Sequence, residues 1–382
     1  MPKIALLLAF LTTAVFAEFE YRVDNTNFTI SQGSTQANSD KTYQYNYNRL
    51  RFRGDYLEGD YFATFIGDGV NYLGSEYVDS DDFNYVKETE SDTPFSTQTN
   101  YNDYYEGNVY AKLYRLYGGY EDNENRVVVG LQNISMGVGR IWTPTNLFNP
   151  KNIYSLEPDE IFGVSAILYT RHLNDTSHLS ILTSQNAEYS LKYGLKYKSF
   201  LDFADFAIDA ISSDDTKMLG VELEGNLGDT GIEVRSEATY IQNTLITSSG
   251  LKDKEFFQGI IGADYGFVNG VTVIGETFYS SEKFTSAEIL LNKNSEILSN
   301  LVRSNFYTAI SMTYTFNIFL DAGVVYIESF NDKNSRYISP TLTYTMNNYN
   351  TFVLGSMIQN GPSESDFGDY ENTYYFKYAL SF

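Results

Sequence analysis

Charge at alternate positions is the first chemistry the sequence offers. Arg49, Arg51 and Arg53 are separated by Leu50 and Phe52, so an extended strand would place all three guanidinium groups on one face. The same spacing recurs at Lys192, Lys196 and Lys198, at Asp205 and Asp209, and at Glu233, Arg235 and Glu237. Such rows suit fixed charge along a wetted surface, which orders water and orients polar solutes, better than bond-making chemistry. A hydrolase would need a nucleophile, a base and an orienting group close together. The only candidates are Asp175, Ser177 and His178, beside the turn Asn174-Asp175-Thr176, where no cleft is suggested. The remaining histidine is His172. No enzyme activity and no cofactor are therefore expected. Gly137-Val138-Gly139 lacks the third glycine and following helix of a nucleotide site. Asp79-Ser80-Asp81-Asp82 reads as a solvated acidic loop sooner than a Ca²⁺ site, so no metal is expected.

These rows need strands to hold them, and the strands carry a second, apolar face. Leu191, Tyr193, Leu195 and Tyr197 alternate with the lysines, and Ala204, Phe206, Ile208 and Ala210 with the aspartates. At mid-depth in a bilayer, Arg or Lys on the lipid side costs roughly 2–4 kcal/mol, so the charged rows must face a wet interior. Eighteen strand-like segments follow, with sixteen left open as the count: 18–30, 43–54, 59–73, 105–119, 126–136, 163–173, 178–184, 189–198, 203–212, 217–227, 231–242, 255–267, 271–279, 303–316, 318–330, 336–346, 351–360 and 370–382. Connections after even-numbered segments are tight and rich in turn residues, as at Val268-Asn269-Gly270. Those after odd-numbered ones are often long: 74–104, 137–162, 243–254 and 280–302. This is the up-and-down pattern of an antiparallel transmembrane β-barrel, with short periplasmic turns and long external loops.

Residues 1–17 carry Lys3, an apolar run from Ile4 to Val15 and a small-residue ending at Ala17. They read as a cleaved secretory signal, leaving 18–382 as one barrel domain. The chain has no cysteine, 34 tyrosines, 27 phenylalanines and a formal charge of −23, which argues against a nucleic-acid partner. Outer-membrane lipid and small hydrophilic solutes or ions are the expected partners.

The last strand ends Tyr374-Tyr375-Phe376-Lys377-Tyr378-Ala379-Leu380-Ser381-Phe382. It resembles the closing strand of bacterial outer-membrane barrels, whose terminal aromatic is a family signature. The block Gly139-Arg140-Ile141-Trp142…Pro144-Thr145…Leu147-Phe148-Asn149-Pro150…Asp159-Glu160 is similar to one in a little-characterised family of porin-like proteobacterial barrels. That resemblance implies an outer-membrane location in a Gram-negative bacterium and passive diffusion of small solutes. A surface-displayed binding or assembly barrel without conductance is the alternative. Trimers are common among porins, which implies a homotrimer here only by likeness. By position 137–162 is the third external loop, the one that narrows general porins. Folded inward, it would bring Arg140, Trp142, Asp159 and Glu160 toward Arg49, Arg51 and Arg53. Capping the rim is the other arrangement for the loop, and pairing with luminal carboxylates such as Glu233 or Asp205 is the other arrangement for the arginines.

Overall fold

The alternation of wet and apolar side chains closes into a ring. A computed structural model describes residues 18–35, 39–330 and 333–382, so the expected signal segment lies outside the described residues. Its staves are β1 (Glu18–Gly33), β2 (Thr42–Glu58), β3 (Tyr61–Leu73), β4 (Gly107–Glu121), β5 (Asn125–Gln132), β6 (Val164–Asn174), β7 (Ser177–Gln185), β8 (Leu191–Leu201) and β9 (Ala204–Ser212). They continue with β10 (Thr216–Asn226), β11 (Glu233–Thr247), β12 (Gly250–Gly266), β13 (Val271–Ser280), β14 (Phe306–Asn317), β15 (Leu320–Phe330), β16 (Ser335–Thr345), β17 (Asn350–Asn360) and β18 (Thr373–Ser381). Each pairs antiparallel with its sequence neighbours, and β18 pairs with β1 from Asp24↔Ser381 to Gln32↔Thr373. Closure removes both edges and satisfies the backbone groups that hydrocarbon cannot. No helix among the described residues is long and apolar enough to cross a membrane.

Leu191, Tyr193 and Leu195 are exposed outward on β8, as are Tyr374 and Phe376 on β18. In water such a surface would be an aggregation liability, whereas inside a bilayer it is the belt. The opposite faces turn inward and meet the third long loop in a buried cluster: Ala166 and Leu182 pack with Ile134, Met136, Leu147 and Phe148.

Several strand ends differ from the sequence reading by a few residues, and three differences bear on the loops. The fifth strand stops at Gln132 and does not run on to Met136. The Gln132 amide donates to the carbonyls of Val128 and Ala166, and the Ile134 N–H donates to Asn149 Oδ1, so the chain leaves the wall there and turns inward. The long loop expected at 243–254 is instead a hairpin end. Pairing continues from Asn243↔Lys254 to Thr247↔Gly250, with Gly250 supplying a φ of 109° that other residues rarely adopt. Helices also occupy the longest loops: α1 (Ser75–Val78) and α2 (Asp81–Glu88) in the second, α3 (Ser286–Leu291) in the seventh. The acidic run at 79–82 is a helix start, with Ser80 accepting from the Phe83 N–H and Asp82 accepting from Ser34 Oγ at 2.8 Å.

Because β5 is short, the upper part of β4 has no partner on that side. The second loop fills the gap. Leu113 N–H donates to Thr97 O at 2.7 Å, Thr99 N–H to Ala111 O at 2.9 Å, and a three-residue strand, Asn102–Tyr104, pairs with the start of β4.

Candidate functional site

The third loop enters the ring and is held on both sides. On one side the arginine row of β2 meets its carboxylates. Arg49 bonds Glu157 at 2.9 Å and Glu160 at 3.1 Å, and Arg51 bonds Glu160 at 2.9 Å and Asp68 of β3 at 2.7 Å. Lys377 of β18 adds a bond to Glu157 at 2.9 Å. Arg51 and Arg115 both stack on Tyr114, with guanidinium carbons 3.9 and 4.1 Å from the ring centre. Arg53 lies further toward the short-turn end and pairs with Asp55 at 2.5 Å.

On the far side the loop's main chain is clasped by three wall glutamates. Glu222 of β10 accepts from the Gly137 N–H at 2.7 Å. Glu237 of β11 accepts from the N–H groups of Val138 and Gly139 at 2.9 and 3.3 Å, and from both the N–H and the hydroxyl of Thr145 at 2.6 and 2.7 Å. Glu276 of β13 accepts from the N–H groups of Arg140, Ile141 and Trp142 at 2.9, 3.1 and 2.7 Å. The glycines of the motif serve this approach. Gly137 has φ 86°, and a Cβ there would lie 2.6 Å from Glu237 Oε2. A Cβ on Gly139 would lie 1.7 Å from the Trp142 carbonyl oxygen.

The residues expected from sequence fall into two groups. Glu160 meets Arg49 and Arg51, whereas Arg140 and Asp159 lie elsewhere. Arg140 crosses to the acidic wall, bonding Glu233 at 2.6 Å, Glu224 at 3.0 Å and Asp264 at 3.4 Å. Like charges keep it from the β2 row, and carboxylates attract it to β10–β12. Asp159 points away from the arginines, pairs with Lys151 at 3.0 Å and has its side chain 88% exposed. Trp142 is an anchor, 5.6 Å from Phe278 and 5.9 Å from Tyr307 by ring centres. Asp209 and Arg235 face inward but are buried beneath the loop; Arg235 bonds Asp264, and Asp209 lies 3.6 Å from Lys196. Lys196 also bonds Glu222 at 2.7 Å, and Lys192 bonds Glu296 at 2.8 Å. Asp205 pairs with Lys198 at 2.7 Å. Of Asp175, Ser177 and His178, Ser177 Oγ sits 2.8 Å from Ser199 Oγ, and His178 lies opposite His172 across β6–β7.

Sequence reasoning missed Glu157, Glu222 and Glu276 as holding residues. Glu157 was findable: the Glu160 N–H donates to the Glu157 carbonyl at 3.0 Å, a turn that puts positions i and i+3 on one side.

No family model matches the sequence, and no curated protein matches it. Solved structures do match. Acinetobacter baumannii OccAB1 superposes with a TM-score of 0.64 at 9% identity, covering 96% of each chain. Pseudomonas aeruginosa OccK8 (OprE) gives 0.57 at 10% identity, over 96% of this chain and 98% of that one. Pseudomonas aeruginosa OpdK, an outer-membrane protein solved with vanillate, gives 0.58 at 9% identity, over 95% and 98%. The fold is that of a porin-like outer-membrane β-barrel. Within this porin-like barrel the third loop carries its own titratable tie. Burial pushes the Glu160 carboxyl up, but Arg49 and Arg51 outweigh it and hold the group below its ordinary 4.5.

A carboxylate so depressed stabilises the folded arrangement fully above its ordinary value, and the contribution is lost as pH falls through the lower folded value. The loop's tie to β2 is therefore expected to persist from neutral pH to about 4.5 and to fail only below it. Current noise recorded on stepping the pH downward checks this. Noise that rises well above pH 5 in wild type but not in Glu160→Gln would contradict the assignment.

Proposed function

We propose that this barrel is a channel for passive diffusion of small hydrophilic solutes or ions, narrowed by residues 137–162, with no chemical step. An eighteen-stranded ring leaves an aqueous interior where eight strands would be filled by side chains. The observation that carries the narrowing is the loop's attachment to opposite walls: Glu160 on Arg49 and Arg51 of β2, and Arg140 on Glu224, Glu233 and Asp264 of β10–β12. Solutes then pass between the loop and the uncovered inner wall, past Arg49, Arg51 and Arg53 on one side and Arg140 with its carboxylates on the other. Vanillate, present in the OpdK crystal structure, sets the scale of solute proposed here.

The test is single-channel recording of refolded protein in planar bilayers, with and without deletion of Trp142–Asn152. Discrete conductance that increases on deletion is expected. Silent bilayers from protein that has refolded would remove the channel reading, and unchanged conductance after deletion would remove the narrowing.

A further inference from the structure

We propose that His172 and His178 form a chelating site for an imidazole-seeking dication such as Zn²⁺ or Ni²⁺, inside the ring at its short-turn end. They are the chain's only two histidines, and β6–β7 pairing sets them directly opposite each other. Cross-strand neighbours of this kind have Cβ atoms about 4.5–5.5 Å apart. The imidazole rings lie 6.1 Å apart by centre, at 59° to one another. Metal–nitrogen bonds of about 2.0–2.1 Å bring two rings to roughly 5 Å between centres, so a side-chain rotation suffices and the strands need not move.

Both histidines share the inward parity of Ala166 and Leu182, which pack against the third loop, and both are only half-buried. The nearby charges are already paired: Lys198 with Asp205 at 2.7 Å and Lys196 with Glu222 at 2.7 Å. Pairing weakens the repulsion these ammonium groups exert on a cation at the histidines. Among the described residues no three metal-ligating side chains converge. The protein thus supplies two nitrogens and water completes the shell. Neutral imidazole favours zinc, nickel and copper over the oxygen-seeking Ca²⁺ and Mg²⁺. The site is independent of whether the barrel conducts.

Isothermal titration of the refolded, chelator-stripped full chain in detergent tests it, with Zn²⁺ and Ni²⁺ as probes and Ca²⁺ as control. One equivalent is expected to bind, with no heat from Ca²⁺. His172→Ala and His178→Ala should each weaken binding roughly a hundredfold, because the second ligation is no longer intramolecular. Heat-modifiable gel migration confirms that each variant is folded. Equal affinity in wild type and the double variant, or full affinity in either single variant, would overturn the site.

Discussion

Replacing Glu237 and Glu276 together by glutamine is expected to free the inner loop while leaving the ring intact. The two side chains accept seven hydrogen bonds from the loop, six from main-chain N–H groups of residues 138–142 and 145 and one from the Thr145 hydroxyl. A carboxylate can accept on both oxygens, whereas a carboxamide turns an NH₂ toward donors that then lack a partner. Hydrogen bonds to a charged group are worth about 1.5–3 kcal/mol against about 1 for a neutral pair, and each stranded donor adds about 1–3. The double variant should lose roughly 5 kcal/mol of loop docking. The wall survives because its ladder is backbone to backbone, as from Glu237↔Ile260 to Glu276↔Ala309. Noisier single-channel traces with a larger open level are the expected signature. A trace like wild type from a folded variant would mean that the β2 side, with Glu222 and the Arg140 ion pairs, is enough to hold the loop.

The walls of this barrel were legible because a strand's inside and outside differ in solvent, and that difference is written at every second residue. Leu191 through Lys198 is a clear case: leucines and tyrosines outward, lysines inward, as read from spacing alone. The loop was half legible. Pro144, Pro150 and Pro158 fix φ and, with Trp142, favour a shaped loop, whereas spacing alone does not decide between entry into the ring and capping of the rim. What holds it was hidden, because a glutamate gripping another segment's N–H groups leaves no mark at its own position. Glu237 was visible only as one inward charge among several. The helices were also readable and passed over. Thr285-x-x-Glu288 is a capping box, with both reciprocal bonds present at α3, and Ser80 caps α2. The hairpin over 243–254 was missed because its polar residues resemble a loop. Beyond the hydrocarbon the apolar face is no longer needed, so a strand there loses its alternation while keeping its ladder.

Under a salt gradient the reversal potential is expected to report a preference for cations, although the most conspicuous row in the sequence is basic. The arginines are neutralised where they stand: Arg49 by Glu157 and Glu160, Arg51 by Asp68 and Glu160, and Lys377 by Glu157. Across the ring two cations meet three carboxylates among the described residues: Arg140 pairs with Glu224, Glu233 and Asp264, and Arg235 shares Asp264. Fixed charge of one sign in a narrow passage concentrates the opposite ion. The same inventory predicts how the preference is reversed. Glu157→Gln with Glu160→Gln should uncover Arg49 and Lys377, leave Arg51 with Asp68 as its partner, and lower the cation-to-anion permeability ratio several-fold. Because these pairs are largely buried, removing the acids leaves the Arg49 guanidinium uncompensated at about 3–5 kcal/mol, so the variant is also less stable. Among the described residues Arg140 is the only cation bonded to Glu224 and Glu233, so Arg140→Gln should shift the ratio the other way. Opposite shifts from the two sides of one loop are hard to obtain unless ions pass between them. Shifts of the same sign, or an anion-selective wild type, would place the conducting path elsewhere in the ring.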